Sequence, residues 1–207
     1  MPKLPFKVMV ELEVTDKNGR IVKKHRQMSH SFLMQWLQFL RCQTSIAIGG
    51  SGISINVVDE TGTVRTFPCS WTETFNREAL MCNAPAGDNS HGIVVGISDA
   101  PNTINTYCLG GKIAHGTGSG QLQYGNHTFD DVANPSGNIL LFRIIRVFSN
   151  TSGSTITVKE VGLMVKNLDS QGYARSYLVA RDVLSTPVDV YNDTTLTVRY
   201  IFQITVS

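Results

Sequence analysis

Apolar and polar residues alternate early in the chain: Phe6, Val8, Val10, Leu12 and Val14 recur at period two, with Lys7, Glu11 and Glu13 between them. That period puts successive side chains on opposite faces, so the stretch reads as a strand with one wet face. Asp16-Lys17-Asn18-Gly19 then reads as a turn, because Asn and Gly accept the positive φ that tight hairpins demand, and Ile21 and Val22 begin the return strand. From Ser31 the period changes. Phe32, Leu33, Trp36, Leu37, Phe39 and Leu40 recur at three and four residues, which predicts a helix over about 31–43 with Ser29 or Ser31 as its cap. Its apolar arc is wide, so it is expected to pack against a sheet. A membrane-surface helix would need Lys and Arg along its polar face, and only Arg41 is available.

Ile53–Val58 and Val64–Phe67, separated by Asp59-Glu60-Thr61-Gly62-Thr63, read as a second hairpin. Pro68 to Gly92 has little periodicity and is expected to be a long ordered loop or insertion. Ile93, Val94, Val95 and Ile97 make a short strand, and Gln121–Tyr124 another, between loops at 117–120 and 130–137. Ile139–Phe148 is apolar on both parities, which predicts a central strand covered on both sides. Ile156–Val165 is expected to return as its hairpin partner, with a bulge near Glu160 to account for a flip in apolar parity. In that register Arg146 lies diagonally across from Glu160, and the two are expected to form a structural ion pair, since buried charges survive chiefly when paired. Tyr177–Leu184, Pro187–Val190 and a long C-terminal strand from Leu196 complete the chain, with a turn at Asn192-Asp193. Regularity of that kind predicts pairing inside a sheet. The fold class that follows is mainly β: an antiparallel β-sandwich, jelly-roll-like, with one N-terminal helix. Residues 1–207 are read as a single domain with a loop insertion at 66–90, and no internal repeat is evident.

Composition narrows the function more than it defines it. The chain has 207 residues, 42% of them hydrophobic, and a mean hydropathy of −0.03, which fits a globular protein able to bury a sizeable core. Charged residues make up 16%, against roughly 25% in ordinary domains, as expected where neighbouring subunits cover the surface. A formal charge of +2 is too small for phosphate neutralisation. The one basic cluster, Lys23, Lys24, His25 and Arg26, reads as a solvated strand end, so neither specific nucleic-acid binding nor a membrane partner is expected. No targeting segment or apolar run of about 18 residues is seen. Cys42, Cys69, Cys82 and Cys108 lack any C-x-x-C spacing and are read as free thiols.

Candidate chemistry is thin. Gly110-Gly111-Lys112 lacks the glycine spacing of a phosphate loop, and Ile113 stands where Ser or Thr would bind magnesium. His115, His127, Asp130 and Asp131 lack metal-ligand spacing and read as loop polarity. No nucleophile elbow and no activated Cys is present. Neither cofactor nor metal is therefore expected. Trp71, with Tyr107 and Tyr124, is the candidate interface anchor or sugar-stacking set.

Three stretches carry a resemblance. They are the hairpin at Asp16-Lys17-Asn18-Gly19 leading to Ser31-Phe32 and a helix; Gly92-Ile93-Val94-Val95-Gly96 through Asn105–Leu109 and Lys112–Gly116 to Gln121–Tyr124; and Phe148–Gly153, Thr155–Leu163, Ala180–Leu184 and Leu196–Tyr200. In this order, across most of the chain, they resemble small structural proteins of tailed bacteriophages, from which the segment 66–90 departs. The resemblance implies a non-enzymatic virion protein, made in the host bacterial cytoplasm and built into a neck, collar, tail or capsid surface. Its implied partners are copies of itself and portal, neck, tail or capsid proteins. A host-surface or carbohydrate-binding module of the virion is the alternative expectation, and a small glycan hydrolase the third.

Overall fold

The computed structural model describes residues 6–29, 31–45, 47–48, 53–71, 80–135 and 137–205, the side chains of 47, 48, 68, 70 and 71 excepted. In chain order the elements are β1 (Phe6–Thr15), β2 (Ile21–Met28), α1 (Met34–Thr44), β3 (Ala47–Ile48), β4 (Ser54–Val58), β5 (Val64–Pro68) and β6 (Ser70–Trp71). Then follow β7 (Gly92–Gly96), β8 (Gln123–Phe129), β9 (Ile139–Asn150), β10 (Ile156–Leu168), β11 (Ala174–Val190) and β12 (Thr194–Thr205).

A five-stranded antiparallel sheet has the order β2-β1-β12-β9-β8, and a three-stranded one the order β11-β10-β7. The β4–β5 hairpin and the parallel β3–β6 pair stand beside them, and neither main sheet closes. The alternation read in β1 sets the register: Val8, Val10, Leu12 and Val14 lie opposite Phe202, Tyr200, Val198 and Leu196, all buried. A slip of one residue would turn this whole set outward, which is why period-two patterning fixes pairing so firmly. The other face carries Glu11 and Glu13, paired with Lys24 (3.1 and 3.5 Å) and Arg199 (3.3 and 3.7 Å). The basic cluster, read from sequence as a solvated strand end, instead lies in the middle of β2, which is an edge strand of the sheet. Side chains from both sheets, the β4–β5 hairpin and α1 share one core. The Tyr200 hydroxyl joins the sheets, donating to Asp182 Oδ2 at 3.1 Å.

Four expectations are corrected. β9 and β10 do not form a hairpin. β12 lies beside β9 over its full length, and the chain crosses at Asn150–Thr155 into the other sheet, where β10 pairs with β11 and β7. The bulge near Glu160 does occur, as a register shift between Val158 and Glu160, but against β11. Nor is β9 covered on both sides. Ile144, Arg146, Phe148 and Asn150 are buried, while Val147 on the other parity is exposed. The helix begins later than its pattern, because residues 31–33 are still extended along β11: Leu33 N–H donates to the Val179 carbonyl and Arg181 N–H to that of Ser31. Leu33 is therefore the N-cap, no side chain caps it, and the Ser29 hydroxyl binds Asp182 at 2.8 Å instead. Only Gln35, Phe39 and Cys42 of α1 are buried, and Leu37 is 63% exposed. Finally, Cys42 and Cys69 are joined by a disulfide, which ties α1 to the end of β5, while Cys82 and Cys108 remain thiols.

The molecule also holds an internal repeat that the sequence reading missed. Asp59–Arg65 and Asp169–Arg175 share the spacing D-x-x-G-x-x-R. In each, the Asp Oδ1 accepts amides two and four residues on, the Gly has φ near +80° (82° and 84°), and the Arg Nε returns to Oδ2 at 2.7 and 3.1 Å. Glu60 N–H donates to the Ser176 carbonyl and Ser170 N–H to that of Thr66, so the two hairpins dock through equivalent atoms. Phe39 of α1 sits between the equivalent rings of Phe67 and Tyr177, at 5.4 and 5.3 Å.

Candidate functional site

Two buried arginines organise the loops at one end of the sheets. Arg146, on the inward face of β9, is wholly buried and lies 4.8 Å from the Tyr124 ring centroid. Its five N–H donors all go to backbone carbonyls: Nε to Gly125, Nη1 to His91 and Ile93, Nη2 to Pro85 and Asp88. Among the described residues no carboxylate pairs with it. Burial pushes this guanidinium down to about 10, against the favourable pull of Tyr124 and Asp88.

Glu160, the expected partner of Arg146, belongs to a different centre. Its carboxylate pairs with Arg181 Nε at 2.5 Å and accepts amides from Ser98 (3.3 Å), Gly110 (3.2 Å) and Gly111 (2.8 Å). The expected Arg146–Glu160 ion pair is thus replaced by an Arg181–Glu160 pair, because β10 lies in the other sheet. Arg181 also donates to the Ala100 carbonyl at 3.0 Å and to Asn102 Oδ1 at 2.5 Å. The glycines that failed as a phosphate loop do hold an anion, and that anion is Glu160. A Cβ on Gly96 would stand 2.3 Å from Glu160 Oε1, so close approach of the strand to the carboxylate requires glycine there. Together these bonds fix residues 98–111 against β10 and β11.

The aromatic set is dispersed. Tyr124 is 2% exposed and its hydroxyl donates to the Ile113 carbonyl at 2.7 Å, which leaves no ring face for a sugar. Tyr107 is exposed and covers the turn glycine of the first repeat, where a Cβ on Gly62 would meet its ring at 3.1 Å. The side chain of Trp71 lies outside the described residues. His115 and His127 also go separate ways. His115 Nδ1 accepts the Tyr124 amide, whereas His127 is buried against the backbone at 83–93.

Titratable groups are committed to structure. Burial works to raise the Asp59 carboxyl, but hydrogen bonds from Thr61, Arg65 and Thr63 outweigh it and bring it down to about 2. Burial pushes the Cys82 thiol up to about 11, which keeps it protonated. Among the described residues no three His, Cys, Asp or Glu side chains gather as a metal ion would need. An open groove of about 680 Å³ runs between residues 111–121 and the start of β10, floored by Ile113 and Ile156. Its two lysines are paired, Lys112 with Glu60 at 2.8 Å and Lys159 with Asp99 at 2.9 Å.

Apolar surface is plentiful elsewhere. Met34, Leu37 and Leu40, spaced by three along α1, all face solvent, as do Ile104 and Val132. Compared with known proteins, the chain matches no family model, no curated protein and no solved structure.

Proposed function

We propose that this chain is a non-enzymatic structural component of a tailed-phage virion, made in the host cytoplasm and built by repeated contacts into the neck, collar, tail or capsid surface. The observation that carries the reading is the outward apolar stripe of α1, Met34, Leu37 and Leu40. A surface helix normally turns one apolar face inward and a polar one outward. Here Phe39 and Cys42 supply the inward face, and a second apolar stripe is left over for a neighbour. The resemblance of those three sequence stretches to small phage structural proteins is what points to the class of assembly. We further read the two main sheets as the layers of a jelly-roll-like sandwich, since side chains from both enter one core. Its partners are copies of itself and portal, neck, tail or capsid proteins, and many modest interfaces in a closed ring would reinforce one another.

The test is the native mass of the purified chain, alone and with those proteins from the same genome. A closed ring or a stable complex is expected, and Leu37→Glu should weaken it at least tenfold while leaving the far-ultraviolet spectrum unchanged. A monomer that binds none of them overturns the reading.

A further inference from the structure

The segment Cys82–His91 lies as a strap along the outer edge of β8, where the five-stranded sheet would otherwise end in unpaired backbone groups. Gly87 N–H donates to the Tyr124 carbonyl at 2.9 Å and His127 N–H to that of Ala84 at 3.3 Å. From beneath, Arg146 draws in the carbonyls of Pro85, Asp88 and His91.

Further along, the Ala86 amide donates to Asn126 Oδ1 at 2.6 Å, Lys112 to the Asn89 carbonyl at 3.3 Å and Lys166 to the Ser90 hydroxyl at 3.3 Å. At the Cys82–Ala84 end the tie is the side chain of His127. Its Nε2 accepts the Ile93 amide at 2.7 Å, and its Nδ1 donates to the Ala84 carbonyl at 3.1 Å. An amide can only donate and a carbonyl can only accept, so the ring is neutral with its proton on Nδ1. A Cβ on Gly92 would stand 2.1 Å from Cε1 of this ring, so backbone is packed directly against it. A second proton on Nε2 would therefore set N–H against N–H. The surrounding charges make matters worse. Arg146 from β9, Lys166 from β10 and, when protonated, His91 in the strap are positive. Asp88 is the opposing carboxylate, and it already lies 3.8 Å from Lys166 and 3.4 Å from His91.

We propose that His127 is an acid-sensitive latch at the Cys82–Ala84 end of the strap: a proton on Nε2 turns the ring out of its seat against the Ile93 amide, and as the ring leaves, its Nδ1 bond to the Ala84 carbonyl is lost and Cys82 is uncovered, while Arg146 still holds the carbonyls of Pro85, Asp88 and His91. Burial already holds the ring down to about 4, in spite of the Ala84 hydrogen bond. A value below the unperturbed one of about 6.5 means that the closed strap is favoured above that pH and loses ground as pH falls from about 6.5 towards 4.

Cys82 lies in the strap, so its thiol reports opening. In a Cys108→Ser background, labelling by 4,4′-dithiodipyridine, normalised to an unstructured cysteine peptide at each pH, should accelerate on the order of fifty-fold between pH 7 and pH 4.5. The far-ultraviolet spectrum should not change. His127→Gln offers both ties without charge and should label at a rate nearly flat with pH. Acceleration that coincides with global unfolding overturns the proposal, as does none in the parent or an equal rise in His127→Gln. If that variant does not fold, the Cε1 proton resonance of His127 in the parent decides: a midpoint near 4 to 5 tracking the labelling supports the latch, and one near 6.5 overturns it.

Discussion

Arg146 and Arg181 are both buried, both sit on inward positions of long strands, and both hold a loop in place, yet they are neutralised in opposite ways. Arg181 meets a carboxylate, Glu160, and leaves its Nη2 without a hydrogen-bond partner among the described residues. Arg146 satisfies every N–H and, among the described residues, pairs with no carboxylate. The contrast separates two requirements that a buried cation faces, hydrogen bonds and countercharge. At Arg181 a fixed anion provides the second and one hydrogen bond of the first, the others coming from the Ala100 carbonyl and Asn102 Oδ1. At Arg146 five carbonyl dipoles provide the first in full and substitute for the second. That substitution is imperfect, as its lowered pKa records. A dipole cage has a structural advantage all the same: it needs carbonyls from Gly125, His91, Ile93, Pro85 and Asp88 to converge, so one side chain pins the strap, β7 and β8 together.

Breaking the cage should have the largest effect. Arg146→Met removes one cation and leaves five carbonyls in a site built to exclude water; a loss of about 5 kcal/mol is expected, on the scale of removing one partner from a buried polar network. Urea midpoints measure it. Arg146→Lys should recover less than half of the loss, because an ammonium has three donors for five acceptors. Full recovery by Lys would mean that charge, and not the fork of five donors, is what the cage requires.

Breaking the pair from one side should come next. Glu160→Gln keeps the shape and can accept from Gly111, but leaves the Arg181 guanidinium buried without an anion; about 3 kcal/mol is expected. Since Glu160 also holds residues 98–111, amide exchange of Gly110 and Gly111 should accelerate more than that of Ile93 and Val94. Uniform acceleration across both groups would show that the carboxylate stabilises the whole fold and not this loop.

Much of the strand framework was legible in sequence, because period-two alternation in β1 and β12 and the turn chemistry of Asp16–Gly19 and Asp59–Thr63 are local properties. Pairing was not. β9 and β10 are consecutive, joined by the short turn Asn150–Thr155, and a hairpin is the default for such a pair; β12 took the place beside β9 from beyond β11, with Thr194 opposite Asn150. That one topological step displaced the ion pair, since Arg146 and Glu160 could meet only if their strands were neighbours. Arg181 was visible as a charge in an apolar run but had no assigned partner. The repeat was the more avoidable omission. Aspartate, glycine and arginine recur at identical spacing in 59–65 and 169–175, followed by Phe67 and Tyr177 at equivalent places, although no long stretch of identity draws the eye. In α1, periodicity alone could not say which apolar stripe faces inward, because both stripes are apolar.

The smallest expected effect is also the sharpest test of the contrast between the two arginines. Replacing Glu160 and Arg181 together, as Glu160→Met with Arg181→Met, removes both charges at once, so neither is left uncompensated and the orphaned Nη2 disappears. Buried pairs replaced by apolar side chains of similar volume are often neutral or stabilising. The cost that remains is that of the groups they served: the amides of Ser98, Gly110 and Gly111 and the carbonyl of Ala100. These lie in loops that are only partly buried, where water can take over most of the bonds. A net change within about 1 kcal/mol is therefore expected, well below either single replacement, with the resulting coupling energy read from a double-mutant cycle. No comparable rescue exists for Arg146, whose partners are main-chain carbonyls that no substitution can remove. If the double replacement costs as much as Glu160→Gln alone, the pair is a scaffold for its loop in the same sense as the cage, and the countercharge at Arg181 is incidental to it.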